Sequence, residues 1–131
     1  MFPWSRKKKD DEPVDPNERS PQLGLKYKDL QLLGEMMKHG ANLTLPRHAL
    51  YYLYFPSREV AEAGAEEGRT AGYTCEVREP LPENPGQWTL LCERPDAVLD
   101  PKSVIAADDL FQGIADRLGG DFDGWEAAAQ P

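Results

Sequence analysis

The sequence predicts an α+β domain in which two helices cover one face of a four-stranded antiparallel sheet. Two runs with apolar–polar alternation, residues 73–79 and 86–94, flank a turn-rich segment and indicate a β-hairpin. Two amphipathic segments, each following a strand-like run, indicate the helices. The resulting order is one leading helix and then strand–helix–strand–strand–helix–strand, which is typical of the ferredoxin-like sandwich.

A leading helix is predicted at residues 27–39, because apolar side chains recur there on one helical face. These side chains are Leu30, Leu33, Met36 and Met37. A stripe of this kind usually packs on a core. We expect this additional helix to cover part of the open face of the sheet.

Residues 1–22 combine four prolines with ten charged residues and cannot bury much apolar surface. We therefore expect a flexible charged leader at residues 1–22, followed by a single domain at residues 23–131. The basic cluster Arg6–Lys9 is compatible with contact to nucleic acid or to an anionic membrane. We favour a solvated tail, because the acidic residues 10–12 neutralise this cluster.

The first strand is predicted at residues 49–55, a short run rich in aromatic and aliphatic side chains. Ser57 is placed to cap the next helix, which is predicted at residues 58–71. Gly64 and Gly68 lie on the inner side of that helix, although glycine lowers helix propensity. They indicate that the helix backbone approaches the sheet closely.

The hairpin register follows from centring its turn at residues 80–86. Cys75 then lies opposite Cys92, and Val77 lies opposite Leu90. One face of the hairpin is apolar and the other is polar, as in an antiparallel sheet covered on one side. We interpret the two cysteines as small buried residues that stay reduced, rather than as a disulfide or redox pair.

A second covering helix begins after Asp100 and Pro101, which are the residue types of an N-cap and a first helical position. Its core positions are predicted at Val104, Ala107, Phe111, Ile114 and Leu118. A short final strand is predicted within residues 121–128, with Trp125 packed inward.

Net charge favours one class of partner over another. Residues 41–131 carry seven basic and sixteen acidic groups, a net charge of −9, in a chain whose net charge is −8. Nucleic-acid binders usually carry the opposite sign, whereas complementary charge favours a basic protein partner. No apolar run approaches the ~20 residues that cross a bilayer, and no apolar segment follows the N-terminal basic cluster. We expect a cytoplasmic protein with no membrane partner and no direct nucleic-acid partner.

Patterns for catalysis and metal binding are weak. His39 and His48 stand near the ends of predicted elements, without the spacing of a catalytic triad or a zinc site. Asp121 and Asp123 form a D-x-D sequence, but the residues after them depart from the calcium-loop pattern. We predict no catalytic residue, no cofactor and no metal. A small metal-assisted enzyme is the least favoured alternative.

RNA recognition is a second function that the sequence leaves open. RNA-recognition domains of this fold stack bases on strand aromatics, and Tyr51, Tyr52, Tyr54 and Trp88 have suitable side chains. The third strand lacks the K/R-G-F/Y-type motif, however, and the negative charge opposes phosphate. A general protein-interaction domain with an unrelated partner is a further alternative.

Four segments, taken in order, resemble the regulator of ribonuclease E activity B (RraB) family. They are LKYKDLQLLGEMMKHGANLTLPRH, YYLYFPSREVAEAGAEEGRTAGYTCEVRE, GQWTLLCER and GGDFDGWE. The resemblance covers about residues 25–126 and leaves the first 22 residues outside it. No single motif carries it; the ordered combination does.

The resemblance implies a small acidic protein that is not an enzyme. Such a protein binds and inhibits an endoribonuclease of the ribonuclease E type and so modulates RNA turnover. The acidic charge is consistent with this, since a nuclease that handles RNA presents basic surfaces. Candidate contact residues are carboxylates on the two covering helices: Glu59, Glu62, Glu66, Glu67, Asp108 and Asp109. They are predicted from charge and helical position, because the resemblance assigns no contact residue.

Overall fold

The computed structural model describes residues 15–128, 130 and 131. Its elements, in chain order, are α1 (Tyr27–Lys38), β1 (Arg47–Phe55), α2 (Arg58–Thr70), β2 (Thr74–Arg78), β3 (Trp88–Ala97), α3 (Pro101–Leu118) and β4 (Asp121–Ala127). The four strands form one antiparallel sheet in the order β2-β3-β1-β4. Since α2 connects β1 to β2 and α3 connects β3 to β4, the predicted ferredoxin-like α+β fold is confirmed.

The central strand β1 directs alternate side chains to the two faces of the sheet. Four apolar side chains of this strand are buried, in addition to that of Arg47: Ala49, Tyr51, Leu53 and Phe55. These four pack with residues of α2 and α3 in one hydrophobic core. The side of the sheet that they define is called the covered face below.

Small residues line the inner side of α2. Ser57 caps the helix, because its hydroxyl oxygen accepts a hydrogen bond from the backbone N–H of Val60 at 3.3 Å. The buried residues of the helix are Ala61, Gly64, Ala65 and Gly68. A Cβ atom at Gly68 would lie 2.6 Å from Cys75 Sγ. The close approach predicted from the two glycines is therefore confirmed.

The hairpin of β2 and β3 has the predicted register, with Cys75 opposite Cys92 and Val77 opposite Leu90. Both cysteines are buried free thiols, and their Sγ atoms lie 2.8 Å apart. The hydrogen bond from Cys92 lowers the pKa of the Cys75 thiol. The same contact, together with burial, raises the pKa of the Cys92 thiol.

The helix α3 supplies the aromatic centre of the core. Phe111 stacks on Tyr51 with ring centroids 4.7 Å apart, and it meets Tyr73 edge-on at 4.9 Å. Each such pair contributes about 0.5–1.5 kcal/mol beyond the burial of its surface. Of the predicted core positions of this helix, Val104, Phe111 and Ile114 are buried, and Ala107 and Leu118 are half-buried.

The final strand β4 contains a β-bulge that turns Trp125 toward the covered side. Phe122 and Trp125 both pair with inward-facing residues of β1, although residues three apart in a regular strand point to opposite faces. The bulge at Asp123 and Gly124 supplies the extra residue. Gly124 has a φ of 106°, which favours glycine. The predicted inward packing of Trp125 is confirmed.

The leading helix α1 lies in the helix layer and packs beside α3. Leu33 packs with Leu99 and Val104, and Trp125 joins this second cluster from β4. The indole Nε1 of Trp125 also donates a hydrogen bond to Asp29 Oδ1 at 2.9 Å. The expectation that the leading helix covers part of the open face is therefore wrong. Leu30, Leu33 and Met36 of its apolar stripe pack in this second cluster, whereas Met37 is exposed.

The chain ahead of α1 packs along α3 through ion pairs. Arg19 Nη2 lies 2.6 Å from Asp108 Oδ2 and 2.7 Å from Asp109 Oδ1. Lys26 Nζ lies 3.0 Å from Asp108 Oδ1. Ser20, between these two cations, is buried. This segment is attached to the domain by buried contacts.

Part of the predicted leader contacts the domain. Within residues 15–22, which the sequence assigned to the leader, Arg19 pairs with α3 and Ser20 is buried, whereas the other side chains are exposed. Composition alone could not show this, because one guanidinium that reaches a buried carboxylate leaves no periodic pattern. The remainder of the predicted leader, including Arg6–Lys9, lies outside the described residues.

Candidate interaction surfaces

The first surface consists of the carboxylates of α2. Glu59, Glu62 and Glu66 are exposed, and Glu67 is half-buried. Glu66 accepts a hydrogen bond from Arg69 at 3.0 Å, and Glu67 forms an ion pair with Arg117 of α3. Within the described chain, the carboxylates of Glu59 and Glu62 have no ion-pair partner. These two therefore present their charge to solvent.

The two acidic residues predicted on α3 differ from each other. The side chain of Asp109 is 62% exposed, whereas that of Asp108 is 2% exposed. Asp108 lies four residues after Val104 and three before Phe111, which places it on the buried stripe of the helix. The expectation that Asp108 is a surface contact residue is therefore wrong, and its carboxylate instead holds Arg19 and Lys26 inside the fold.

The predicted contact residues on the two helices bind different cations. Asp108 and Asp109 both bind Arg19 of the N-terminal segment, whereas Glu67 binds Arg117. Glu59 and Glu62 are therefore the predicted contact residues whose charge is not neutralised by an ion pair within the described chain.

The second surface, called the open sheet face below, is the side of the sheet opposite the helices. Its residues are His48, Leu50, Tyr52 and Tyr54 of β1, Thr74, Glu76 and Arg78 of β2, Thr89, Leu91 and Glu93 of β3, and Asp121, Asp123 and Glu126 of β4. Tyr52 lies between Leu91 and Gly124 at its centre, and Tyr54 lies between Thr89 and Asp121. The face has an apolar and aromatic centre surrounded by carboxylates.

Four side-chain pairs organise the open sheet face, and one of them joins the Arg78 guanidinium to Glu76 at 3.4 Å. Tyr52 donates its hydroxyl to Glu126 Oε1 at 2.8 Å, and Tyr54 makes a longer contact of 3.4 Å to Asp123 Oδ2. His48 Nε2 lies 2.6 Å from Glu93 Oε2. The hydrogen bond to Glu126 raises the pKa of the Tyr52 phenol, while burial and then the charge of Asp123 raise the pKa of Tyr54.

The aromatic residues considered for RNA stacking lie on both faces of the sheet. Tyr51 faces the helices, is only 4% exposed and stacks on Phe111. Trp88 packs against the core on the same side, with the Arg58 guanidinium 5.4 Å from its ring centroid. Tyr52 and Tyr54 are the two that lie on the open sheet face.

Sequence reasoning missed the role of three carboxylates on the open sheet face. Glu76, Glu93 and Glu126 lie in rows with the outward residues of β1. The alternation of the hairpin already placed Glu76 and Glu93 on a polar face. The missing signal was the orientation of β1, because apolar side chains occupy both sides of that strand.

Ionisable side chains line several cavities of the described structure. One of these cavities, of about 220 Å³, is lined in part by Arg94 and Asp96. Another, of about 510 Å³, lies at the end of α1, where Glu35 and His39 are its ionisable side chains. The described residues include no group of three or more histidine, cysteine, aspartate or glutamate side chains arranged to hold a metal ion. They also include no helix with the length and apolar character needed to cross a bilayer.

Fold and surface together define a small ferredoxin-like α+β domain that displays carboxylates on one helix and on one sheet face. Residues 27–127 match the family model described as regulator of ribonuclease activity B, or RraB, and the chain belongs to that family. No curated protein matches the chain. The family resemblance expected from the sequence is confirmed, and the family description indicates regulation of ribonuclease activity.

Proposed function

We propose that this chain is a non-enzymatic protein that binds and inhibits an endoribonuclease of the ribonuclease E type in the cytoplasm. Membership of a family of ribonuclease regulators supports the ribonuclease as the target. The display of carboxylates by a domain whose residues 41–131 carry a net charge of −9 supports direct docking on a basic protein surface. Inhibition then follows because the docked domain excludes RNA from that surface.

The exposed carboxylates of α2 are the proposed contact residues that carry this function. Glu59 and Glu62 present unpaired charge, and Glu66, Glu67 and Asp109 flank them or lie on the neighbouring helix. Asp108 is left out because it is buried. Complementary charge of this kind raises the association rate and makes binding sensitive to salt.

The test measures cleavage of a fluorogenic RNA by a ribonuclease E-type enzyme while the purified chain is added. We expect inhibition that weakens as salt is raised from about 0.1 M to about 0.5 M, because screening shortens the range of the charges. Replacing Glu59→Lys and Glu62→Lys together should weaken inhibition about tenfold, which corresponds to about 1.4 kcal/mol.

The matched control is the pair Glu79→Lys and Glu83→Lys, which makes the same charge change at exposed positions at or near the hairpin turn. This control should weaken inhibition less than about threefold, through long-range charge alone. Absence of binding and inhibition by the wild-type chain at saturating concentration contradicts the proposal. Equal effects of the two double variants contradict the assignment to α2.

A further inference from the structure

The open sheet face combines two chemical features. Its centre is apolar and aromatic, formed by Leu50, Leu91, Tyr52 and Tyr54. Around that centre stand five carboxylates against one guanidinium: Glu76, Glu93, Asp121, Asp123 and Glu126 against Arg78. The partner of such a face must offer both positive charge and a flat surface that packs on rings.

The tyrosine hydroxyls hold two of these carboxylates at the edges of the rings. Glu126 accepts from Tyr52 at 2.8 Å, and Asp123 lies 3.4 Å from the hydroxyl of Tyr54. An ionised carboxylate has about four lone-pair positions, so one hydrogen bond leaves most of its accepting capacity free. Each ring therefore has a carboxylate placed beside it, ready to accept from a group stacked on the ring.

A guanidinium group meets both requirements at once. It is planar, it stacks on aromatic faces, and its five N–H donors match the geometry of a carboxylate. A lysine ammonium is a compact and strongly hydrated point charge that gains less from the ring. Phosphate is repelled by the carboxylates, and a second copy of the chain would bring five more carboxylates to the same face.

We infer that the open sheet face is an arginine-recognition surface that binds an arginine-rich segment of a basic protein partner through Tyr52, Tyr54, Asp123 and Glu126. The inference rests on the proposed function for the identity of that partner, since a ribonuclease has basic surfaces. It adds a second contact surface on the side of the domain opposite α2. Its chemistry is testable without the ribonuclease.

The test uses two fluorescently labelled peptides of ten residues, one alternating arginine with glycine and the other alternating lysine with glycine. Binding to the full chain is followed by fluorescence anisotropy at about 0.1 M salt. We expect the arginine peptide to bind about tenfold more tightly than the lysine peptide, because two stacking contacts are each worth about 0.5–1 kcal/mol at exposed sites. Equal affinity for the two peptides overturns the inference, since charge alone would then explain binding.

Three double variants locate the binding site. Tyr52→Ala with Tyr54→Ala, and separately Asp123→Asn with Glu126→Gln, should each weaken binding of the arginine peptide about tenfold. Glu59→Gln with Glu62→Gln makes the same charge change on α2 and should alter it less than twofold. Far-ultraviolet circular dichroism and thermal melting confirm that each variant is folded. Loss of binding only in the α2 variant overturns the inference.

The same experiments test two other ligands of the open sheet face, single-stranded RNA and a second copy of the chain. Single-stranded RNA of ten nucleotides that binds more tightly than the arginine peptide, and is lost in the tyrosine variant, would overturn the inference. Self-association of the chain that the tyrosine variant abolishes, without peptide binding, would also overturn it. Sedimentation of the free chain gives this second readout.

The ribonuclease assay separates failure of this inference from failure of the proposed function. If the sheet-face variants inhibit the nuclease as the wild-type chain does, and the α2 variant does not, the proposed function stands and the arginine surface is wrong. If the arginine peptide binds as expected but the wild-type chain does not inhibit the nuclease, the arginine surface stands and the target is wrong.

Discussion

Tyr51 and Tyr52 are adjacent in the chain and chemically identical, yet they belong to different parts of the molecule. Tyr51 is 4% exposed and stacks on Phe111 beneath the helices. Tyr52 lies on the open sheet face and donates its hydroxyl to Glu126. The comparison shows that the covered face is organised by ring packing, whereas the open sheet face is organised by hydrogen bonds between tyrosines and carboxylates.

The largest expected effect comes from a substitution that removes a packed ring from the covered face. Tyr51→Ala should lower the free energy of unfolding by about 3–5 kcal/mol, as for other buried aromatic residues, because it removes the stack on Phe111 and leaves a cavity. Tyr52→Ala should lower it by about 1 kcal/mol or less. Urea denaturation of both variants measures the difference. Similar losses in the two variants would contradict the division between the faces.

A smaller effect tests how closely α2 approaches the covered face. Gly68→Ala should lower the free energy of unfolding by up to about 2 kcal/mol, because a Cβ atom there would lie 2.6 Å from Cys75 Sγ. Overpacking of this kind costs about 1–3 kcal/mol, and the better helix propensity of alanine offsets about 1 kcal/mol of it.

The matched control is Gly34→Ala on α1, where a Cβ atom would have no neighbour within 4 Å. We expect this change to raise the free energy of unfolding by about 0.5–1 kcal/mol through helix propensity alone. Thermal melting monitored by circular dichroism reports both signs. Stabilisation by both substitutions would show that α2 has room above the cysteines.

The third prediction uses a buried carboxylate at the margin of the covered side. Burial, and then the charge of Asp108, raise the pKa of Asp29, and its Oδ2 has no hydrogen-bond partner among the described residues. A carboxyl group with a raised pKa in the folded state contributes stability at low pH that is lost as pH rises through that pKa. Asp29→Asn should therefore gain stability relative to the wild-type chain as pH rises above about 4.

At pH 7 this gain should reach about 1 kcal/mol, the scale of an unsatisfied buried polar group. The amide oxygen still accepts from Trp125 Nε1, so the indole keeps its partner. Urea denaturation between pH 4 and pH 7 gives the difference between the two proteins. A difference that does not change with pH would contradict the raised pKa.

The smallest expected effect concerns the hydrogen bond between Tyr52 and Glu126 on the open sheet face. Glu126→Gln should change the free energy of unfolding by less than about 0.5 kcal/mol, because the side chain is exposed. It should lower the pKa of the Tyr52 phenol toward its ordinary value, since the hydrogen bond to the carboxylate raises it. Phenol titration by ultraviolet absorbance, with Tyr52→Phe as the control, measures this. An unchanged titration would mean that the contact is absent in solution.

Local patterns were sufficient to predict much of the fold. The hairpin register followed from strand alternation around one turn, and it placed Cys75 opposite Cys92. The inner side of α2 followed from helical spacing. Both are determined by residues that are close in sequence, so their periodicity contains the necessary information.

Contacts between residues far apart in the sequence determine the features that the sequence patterns did not predict. The stripe on α1 showed that the helix packs, but its position depends on Trp125, which reaches the covered side only through the bulge in β4. Asp108 was predicted as exposed from its charge, although its spacing from Val104 and Phe111 places it inside. The open sheet face was predicted only as an alternative RNA-stacking site, and its aromatic residues were not separated from the buried ones, because both sides of β1 are apolar.

The extra residue at Asp123–Gly124 determines the face of the sheet to which each later side chain of β4 points. Removing one residue there would exchange the sides of Trp125 and Glu126, so that the indole would stand among the carboxylates and the carboxylate would lie under the helices. The packing of α1 on Trp125 and the position of Glu126 on the opposite face therefore both depend on the number of residues in the β4 bulge. Any change of length at this point alters both together.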